Sequence, residues 1–88
     1  MASYKIIFKP SVEKDLRRLS KSLVARVLEQ IEKLKVDPLP RQSVKLAVGQ
    51  QLYRLRVGEY RIIYAADKAA KRITIHYIRH RREVYRKL

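Results

Sequence analysis

The stretch LYRLRVGEYRIIY, residues 52–64, decides the fold of this 88-residue chain. Apolar and polar side chains alternate on both sides of a central Gly-Glu pair, which is typical of two half-buried strands joined by a two-residue turn. Counting outward from that turn pairs Val57 with Tyr60 and places Arg56 opposite Arg61. Successive side chains of a strand point to opposite faces of a sheet, so the hairpin has two unlike faces. The apolar face comprises Tyr53, Leu55, Val57, Tyr60, Ile62 and Tyr64, and the arginine face comprises Arg54, Arg56 and Arg61.

The arginine face carries like charges at directly opposed positions, an arrangement that destabilises a sheet. Arg56 beside Arg61 therefore requires either open solvent or a bound anion. A guanidinium group donates hydrogen bonds in a planar fork and stays charged, which suits it to phosphate. The alternative is an ordinary solvated face of a small basic domain.

Charge is the dominant feature of the composition. Twenty-two Lys and Arg residues against eight Asp and Glu residues give a formal net charge of +14. Such a protein is expected to bind polyanions with an affinity that falls steeply with salt. RNA, DNA, an acidic protein and an anionic membrane are all candidate partners. The charge does not choose among them, and nucleic acid is the first candidate.

The length predicts one domain, residues 1–88, with a single modest core. The chain has no cysteine and two histidines, so disulfides and thiolate metal sites are excluded and a self-sufficient zinc site is not expected. We predict no metal site and no cofactor. No leader precedes the first strand and no apolar run approaches the roughly 20 residues of a membrane span, so we expect a cytoplasmic protein without membrane insertion.

The residues before the hairpin predict one strand and two helices. Residues 3–9 alternate as a strand, and Ser11 is the expected N-cap of a first helix, with Glu13 and Asp15 in its positive first turn. Residues 23–35 have a wide apolar stripe and predict a second helix, with Ser22 as a possible cap. Residues 36–51 predict an ordered loop with a possible short edge segment at 44–48.

The residues after the hairpin predict a third antiparallel strand at 72–80 and a short terminal helix or tail at 81–88. Pairing Ala66 with Arg72 would place Arg61 opposite Tyr77. The arginine face would then gain Tyr77, Arg79 and Arg81, and the covered face would gain Thr74, His76 and Ile78. The predicted fold class is α+β, in the order β-α-α-β-β-β, with a helical hairpin on one face of a mainly antiparallel twisted sheet and the basic face open.

The predicted basic face suits single-stranded RNA, because arginine binds phosphate and aromatic rings stack on bases. If the neighbouring 2′-hydroxyl is the nucleophile, cleavage requires in-line alignment, charge neutralisation and proton transfer. Arginine serves the second need but hardly releases a proton. His80 is either a proton carrier or a surface histidine at a strand end, and Tyr85 is either a core residue or a catalytic one. His76 is expected in the core.

Two motifs carry a resemblance to a known family: YRLRVGEYRIIY at residues 53–64 and IRHRREVY at residues 78–85. Together they resemble the signature of the RelE/ParE toxin superfamily, and the similarity extends over nearly the whole chain. The resemblance implies the toxin of a type II toxin–antitoxin pair. In the RelE branch this is an endoribonuclease that cleaves messenger RNA in the ribosomal A site and uses no metal.

The resemblance also implies roles for individual residues. Arg61 matches the arginine that stabilises the transition-state phosphate, and Arg81 matches an arginine assigned to phosphate binding or proton donation. Tyr85 matches the tyrosine that stacks on the message and assists proton transfer. Arg54 and Arg56 lie where well-known RelE enzymes have lysines, one of them proposed as general base, and arginine is a poorer base. The implied catalytic residues are Arg56, Arg61, Arg81 and Tyr85, and the implied RNA-binding residues are Arg54, Tyr77, Arg79, His80 and Arg82.

The implied partners are an acidic RelB-like antitoxin, the ribosome and its mRNA, and operator DNA as a toxin–antitoxin complex. Two alternatives belong to other classes. One is a ParE-like toxin that inhibits DNA gyrase, and the other is a catalytically silent basic module that acts through its antitoxin.

Overall fold

The predicted hairpin lies at the centre of a five-stranded sheet in the computed structural model, which describes residues 3–46 and 51–80. The elements are β1 (Lys5–Phe8), α1 (Pro10–Arg17), α2 (Lys21–Lys33), β2 (Val44–Lys45), β3 (Leu52–Val57), β4 (Tyr60–Asp67) and β5 (Arg72–His80). The strand order is β1-β5-β4-β3-β2, with β1 parallel to β5 and the other pairs antiparallel. The α+β prediction is confirmed, and β2 is an edge strand that lies within the short edge segment predicted from the sequence.

The β3–β4 hairpin has the predicted register, from Val57 opposite Tyr60 to Tyr53 opposite Tyr64. Gly58 has a φ of 60° and Glu59 does not have a positive φ. A positive φ at the first central residue alone fits a type II′ turn, in which glycine is favoured at that position. The turn therefore fixes which residues share the arginine face.

The two helices begin at residues other than those predicted. Pro10 is the first residue of α1. The N-cap residue of this helix is Lys9, whose side chain makes no capping hydrogen bond. Ser11 is therefore not the cap, and its hydroxyl donates instead to the carbonyl of His76 at 3.0 Å. Helix α2 is capped by Ser20, which accepts from the Leu23 N–H at 3.2 Å, so Ser22 is not its N-cap.

The main core fills the space between the helices and the apolar face of the sheet. Tyr64 is its largest fully buried side chain. The Tyr64 hydroxyl donates to the carbonyl of Pro38 at 2.8 Å, which ties the segment after α2 to the sheet. Burial raises the pKa of Tyr64 to about 12, so its phenol stays neutral. The core comprises Tyr4, Val12, Val27, Ile31, Leu34, Leu55, Val57, Ile62, Tyr64, Ala66, Ile73, Ile75 and Ile78.

The predicted register of β5 is wrong, because the strand contains an irregularity. Arg72 pairs with Asp67, and the pairing shifts by a further residue between Ile63 and Tyr64, which leaves His76 without a partner in β4. Such a bulge reverses the faces of the residues on one side of it. Thr74 consequently lies on the arginine face and not on the covered face, and Arg61 lies opposite Arg79 and not Tyr77.

The bulge restores the predicted faces for the end of β5. Ile78 belongs to the core, as predicted. Tyr77 and Arg79 lie opposite Ile63 and Arg61, and so share the arginine face as predicted. Arg81, Arg82, Tyr85 and the predicted terminal helix or tail are outside the described residues.

Helix α2 is the longest helix at 13 residues. Within residues 3–46 and 51–80, no helix has the length and apolar character needed to cross a bilayer.

Candidate active site

Three arginines from adjacent strands form a straight row across the sheet. Arg56 of β3 lies opposite Arg61 of β4, and Arg61 lies opposite Arg79 of β5. Directly opposed residues of antiparallel strands have Cα atoms about 5 Å apart, so the three Cα atoms span about 10 Å. Their side chains point to the same face. We call Arg56, Arg61 and Arg79 the arginine row.

Arg61, the central member of the arginine row, is only 6 % exposed. Its Nη1 donates to the carbonyl of Tyr60 at 3.4 Å. Among the described residues, no carboxylate lies within ion-pair distance of its guanidinium. Because a desolvated charge is costly unless it is paired, this guanidinium is well suited to an anionic ligand.

The two outer members of the arginine row have different surroundings. Arg56 is exposed, and its Nε donates to the carbonyl of Gly58 at 3.2 Å. Arg79 is 20 % exposed, and its Nε contacts Asp15 Oδ1 at 3.2 Å. The Cζ of Arg79 also lies 5.1 Å from the centre of the Tyr77 ring, within the range of a cation–π interaction. Arg79 is therefore held on two sides.

The arginine face is less open than predicted, because a small apolar cluster lies beside the arginine row. Leu46 and Ile63 are buried there, with Leu52 and Tyr77 packed against them. Leu46 reaches this face because its N–H donates to the Leu52 carbonyl at 3.0 Å. Arg54 of β3 lies directly opposite Ile63, a member of this cluster. Apolar side chains beside the row limit the access of water and strengthen the electrostatic interactions that the arginines make.

His80 does not join the arginine row. It lies opposite Tyr60, with the two rings edge to face at 5.4 Å between centres. Tyr60 packs against the main core, so His80 belongs to the helix-covered side of the sheet. His80 therefore lies on the opposite face from the arginine row, since a strand exposes successive side chains on opposite faces, and its role in RNA binding stays a prediction.

His76 lies at the bulge and is half-buried. It was expected in the core but is not one of the core residues. Burial, followed by the charge of Lys9, lowers the pKa of His76 below its ordinary value of 6.5. The bond from Ser11 to its carbonyl places it against the start of α1. The side chain is therefore best tolerated in its neutral form.

The lowered pKa of His76 makes stability depend on pH. The unfolded chain binds a proton at about the ordinary pKa, whereas the folded chain resists it, so stability is fully present above that value and falls as the pH drops below it. We expect the thermal unfolding midpoint to fall between about pH 7.5 and about pH 5, and His76→Gln to reduce this dependence. Thermal unfolding followed by circular dichroism checks it. If the unfolding midpoint changed equally with pH in wild type and in the His76→Gln variant, the expectation would be contradicted.

One functional residue was missed by sequence reasoning. Asp15 is only 4 % exposed and contacts Arg79, although we expected it in the positive first turn of α1. Glu13 is the acid that occupies that turn. The sequence could have indicated this burial, because Asp15 falls on the apolar stripe formed by Val12, Leu16 and Leu19. An acid on such a stripe requires a buried partner.

The described ranges contain no group of three or more His, Asp or Glu side chains arranged to hold a metal ion. The positive charge of the candidate site is supplied by guanidinium groups. A site of this kind binds a phosphate through charge-assisted hydrogen bonds, which are about twice as strong as neutral ones.

Comparison with known proteins places the chain in a family. Residues 6–85 match the family described as the ParE toxin of type II toxin–antitoxin systems, parDE. RelE1 of Methanocaldococcus jannaschii is 32% identical over 78 residues, which cover 85% of this chain and 87% of that protein.

Solved structures show the same fold. The archaeal RelE–RelB complex from Pyrococcus horikoshii OT3 contains a chain that is 31% identical, with a TM-score of 0.77 and coverage of 89% of this chain and 94% of that one. The toxin–antitoxin complex RelBE2 from Mycobacterium tuberculosis matches with 26% identity, a TM-score of 0.77 and coverage of 89% and 98%. A mutant of the E. coli toxin RelE in the free state, 19% identical with coverage of 98% and 93%, shares the fold with a TM-score of 0.78. This chain therefore belongs to the RelE/ParE superfamily and is the toxin of a type II toxin–antitoxin system with a RelE-like fold.

Proposed function

We propose that this toxin is a ribosome-dependent endoribonuclease that cleaves mRNA in the A site and thereby inhibits translation. The 2′-hydroxyl of the message attacks the adjacent phosphorus, and the bond from phosphorus to the 5′-oxygen breaks. The products are a 2′,3′-cyclic phosphate and a free 5′-hydroxyl. The proton leaves the attacking oxygen, and the leaving oxygen receives one.

The arginine row is the observation that carries this proposal. In the transition state, negative charge grows on the non-bridging oxygens of the scissile phosphate. Guanidinium groups that are already fixed in place stabilise that charge without reorganisation. Arg61 supports the central role because it is buried without a carboxylate partner among the described residues. Arg56 and Arg79 flank it on the neighbouring strands, with Cα atoms about 5 Å from that of Arg61.

Proton transfer and alignment have to come from elsewhere, because arginine is a poor base. Tyr85 transfers the proton, as the sequence resemblance implies, and Arg81 is a further phosphate contact. Alignment of the message comes from the ribosome, which holds mRNA in a fixed path. A net charge of +14 suits a protein that enters a pocket walled by ribosomal RNA. Tyr77, beside the arginine row, offers a ring on which a base can stack.

The ribosome requirement has a direct test in cells. Primer extension is performed on one message in two forms, one translated and one without its start codon, after the toxin is expressed. New 5′ ends confined to the translated form are expected. Equal cleavage of both forms would contradict ribosome dependence.

The family description names ParE, so DNA gyrase is the second target to test. Gyrase-dependent DNA breaks with intact messages would replace the nuclease proposal with gyrase inhibition. Absence of growth arrest would point to a catalytically silent module that acts through its antitoxin, including binding of operator DNA as a complex.

We also propose an acidic RelB-like antitoxin as the cognate partner, and a groove between β1 and α2 as its docking surface. Two adjoining cavities of about 550 and 300 Å³ share Phe8 and Leu28 in their walls. These two side chains are 46% and 40% exposed, although they are large and apolar. β1 is an edge strand of the sheet, and edge strands accept a further strand from a partner. The net charge of +14 suits an acidic partner, and Lys5 lines the larger cavity, where Lys35 is paired with Glu32 at 2.8 Å.

Leu28→Asp and Phe8→Asp are expected to weaken antitoxin binding by about 30-fold each, since buried apolar anchors contribute about 2 kcal/mol or more. Val36→Asp is the matched control, because Val36 is 76% exposed and does not line either cavity. Titration calorimetry with the cognate antitoxin measures the effect. Equal affinities of all three variants would exclude the groove.

A further inference from the structure

The edge of β5 is completed by helix α1 where β1 ends. The β1–β5 pairing stops at Phe8 and Ile75. Beyond it, the Ile75 carbonyl accepts from the Lys9 N–H at 3.0 Å, and the His76 carbonyl accepts from the Ser11 hydroxyl at 3.0 Å. The edge of a sheet presents unpaired backbone groups that require partners when buried. The backbone of Lys9 and the side chain of Ser11 therefore supply hydrogen bonds that a neighbouring strand would otherwise make.

Asp15 is the last and most buried of these contacts. Its Oδ2 accepts from the Ile78 N–H at 2.9 Å, and its Oδ1 contacts Arg79 Nε at 3.2 Å. One carboxylate thus binds the backbone and the side chain of consecutive residues. With 4 % exposure, Asp15 has little freedom to turn away from them. The contact fixes the end of β5 immediately after the bulge.

This arrangement has two consequences for the arginine row. Asp15 engages Arg79 through Nε, and the Tyr77 ring lies 5.1 Å from its Cζ, so the plane of the guanidinium is held. The carboxylate also offsets one positive charge in a row where Arg61 and Arg79 are directly opposed. Like charges in that position destabilise a sheet, so a nearby negative charge stabilises the row.

We propose that Asp15 is a positioning residue that fixes Arg79 in the arginine row for contact with the scissile phosphate. The proposal rests on the nuclease function proposed above. It assigns Asp15 no contact with substrate and no proton transfer. Misplacement of a group by about 1 Å can cost about 100-fold in rate, so a residue that fixes another has a measurable effect on chemistry.

The test compares Asp15→Asn with Glu13→Gln, which removes the same charge from the exposed side of the same helix. Single-turnover cleavage is measured on purified ribosomes programmed with a defined message, at temperatures below both unfolding midpoints. We expect Asp15→Asn to lower the maximal rate about 10- to 100-fold without weakening ribosome binding, and Glu13→Gln to leave the rate unchanged. A purely electrostatic role would instead predict tighter binding and an unchanged rate, because a negative charge is lost.

A double-mutant cycle with Arg79→Ala separates positioning from general stability. If Asp15 acts through Arg79, Asp15→Asn has no further effect on the rate in the Arg79→Ala background. An undiminished rate loss in that background, or a rate for Asp15→Asn within twofold of wild type, would overturn the proposal. If Asp15→Asn does not fold, Asp15→Glu gives the same comparison, because it keeps the carboxylate but moves it by one methylene.

Failure of the nuclease proposal is recognised separately, because the wild-type protein would then not cleave the message. The Asp15 proposal would then be tested by NMR of the Arg79 Nε–H in the free protein. A resonance that is protected from exchange in wild type and lost in Asp15→Asn is expected. An unchanged resonance in the variant would overturn the positioning role.

Discussion

Arg61→Ala is expected to reduce the rate of message cleavage by about 100- to 1,000-fold, because one preorganised charge contact in a transition state is worth that much. Arg61 is the central arginine of the row and is almost fully buried, so solvent screens its charge less than that of Arg56. Single-turnover cleavage on programmed ribosomes measures the effect. The loss should appear in the maximal rate, since the ground-state phosphate has less charge to stabilise.

Two variants control for loss of charge and of shape. Arg72→Ala removes a positive charge from the opposite end of β5, where the Arg72 side chain is exposed. In the sheet, Arg72 lies between Lys5 of β1 and Asp67 of β4. It should cleave at nearly the wild-type rate. Arg61→Lys keeps the charge but loses the planar fork, so an intermediate rate is expected. Equal rates for Arg61→Ala and Arg72→Ala would show that Arg61 is not part of the active site.

Ile62→Ala and Ile63→Ala are expected to destabilise the protein by about 2–5 kcal/mol each, which is a large part of the roughly 5–15 kcal/mol of a typical domain. Both side chains are fully buried, and they lie next to each other in β4 on opposite faces. Ile62 belongs to the main core, whereas Ile63 belongs to the small cluster with Leu46. The loss should be larger for Ile62, because fewer neighbours enclose Ile63 and its cavity can collapse more readily. Denaturant unfolding measures both values.

The same two variants differ in their expected effect on catalysis. Ile63 packs beside the arginine row, against Tyr77, whereas Ile62 faces the helices. At a temperature where both variants are folded, Ile63→Ala should cleave more slowly than Ile62→Ala despite its smaller loss of stability. The reverse order would show that the small cluster does not support the active site.

The hairpin and its faces were predictable because local chemistry determines them. Alternation sets the faces, and a glycine at the first turn position sets the register of Arg56 against Arg61. Helix α2 was predictable for a similar reason, since its apolar stripe is long and regular. Its starting residue was not, because Ser20 and Ser22 are both suitable caps, and in the structure it is Ser20 that accepts from the Leu23 N–H.

The register of β5 was not predictable, because contacts distant in sequence determine it. The bulge at His76 coincides with the bond from Ser11, and the residues after it are held by Asp15. These contacts join positions more than 60 residues apart. Sequence reasoning therefore recognised Arg79 as a residue of the arginine face but missed both its position opposite Arg61 and the acid that holds it.

The central claim is that the arginine row binds the scissile phosphate. It is tested most directly by the structure of the toxin on a ribosome programmed with a message that is 2′-O-methylated at the cleavage site and therefore cannot react. We predict guanidinium nitrogens of Arg61 and Arg79 within about 2.7–2.9 Å of the non-bridging oxygens of that phosphate. A message backbone that passes over another surface, with neither arginine in contact with the phosphate, would contradict the account.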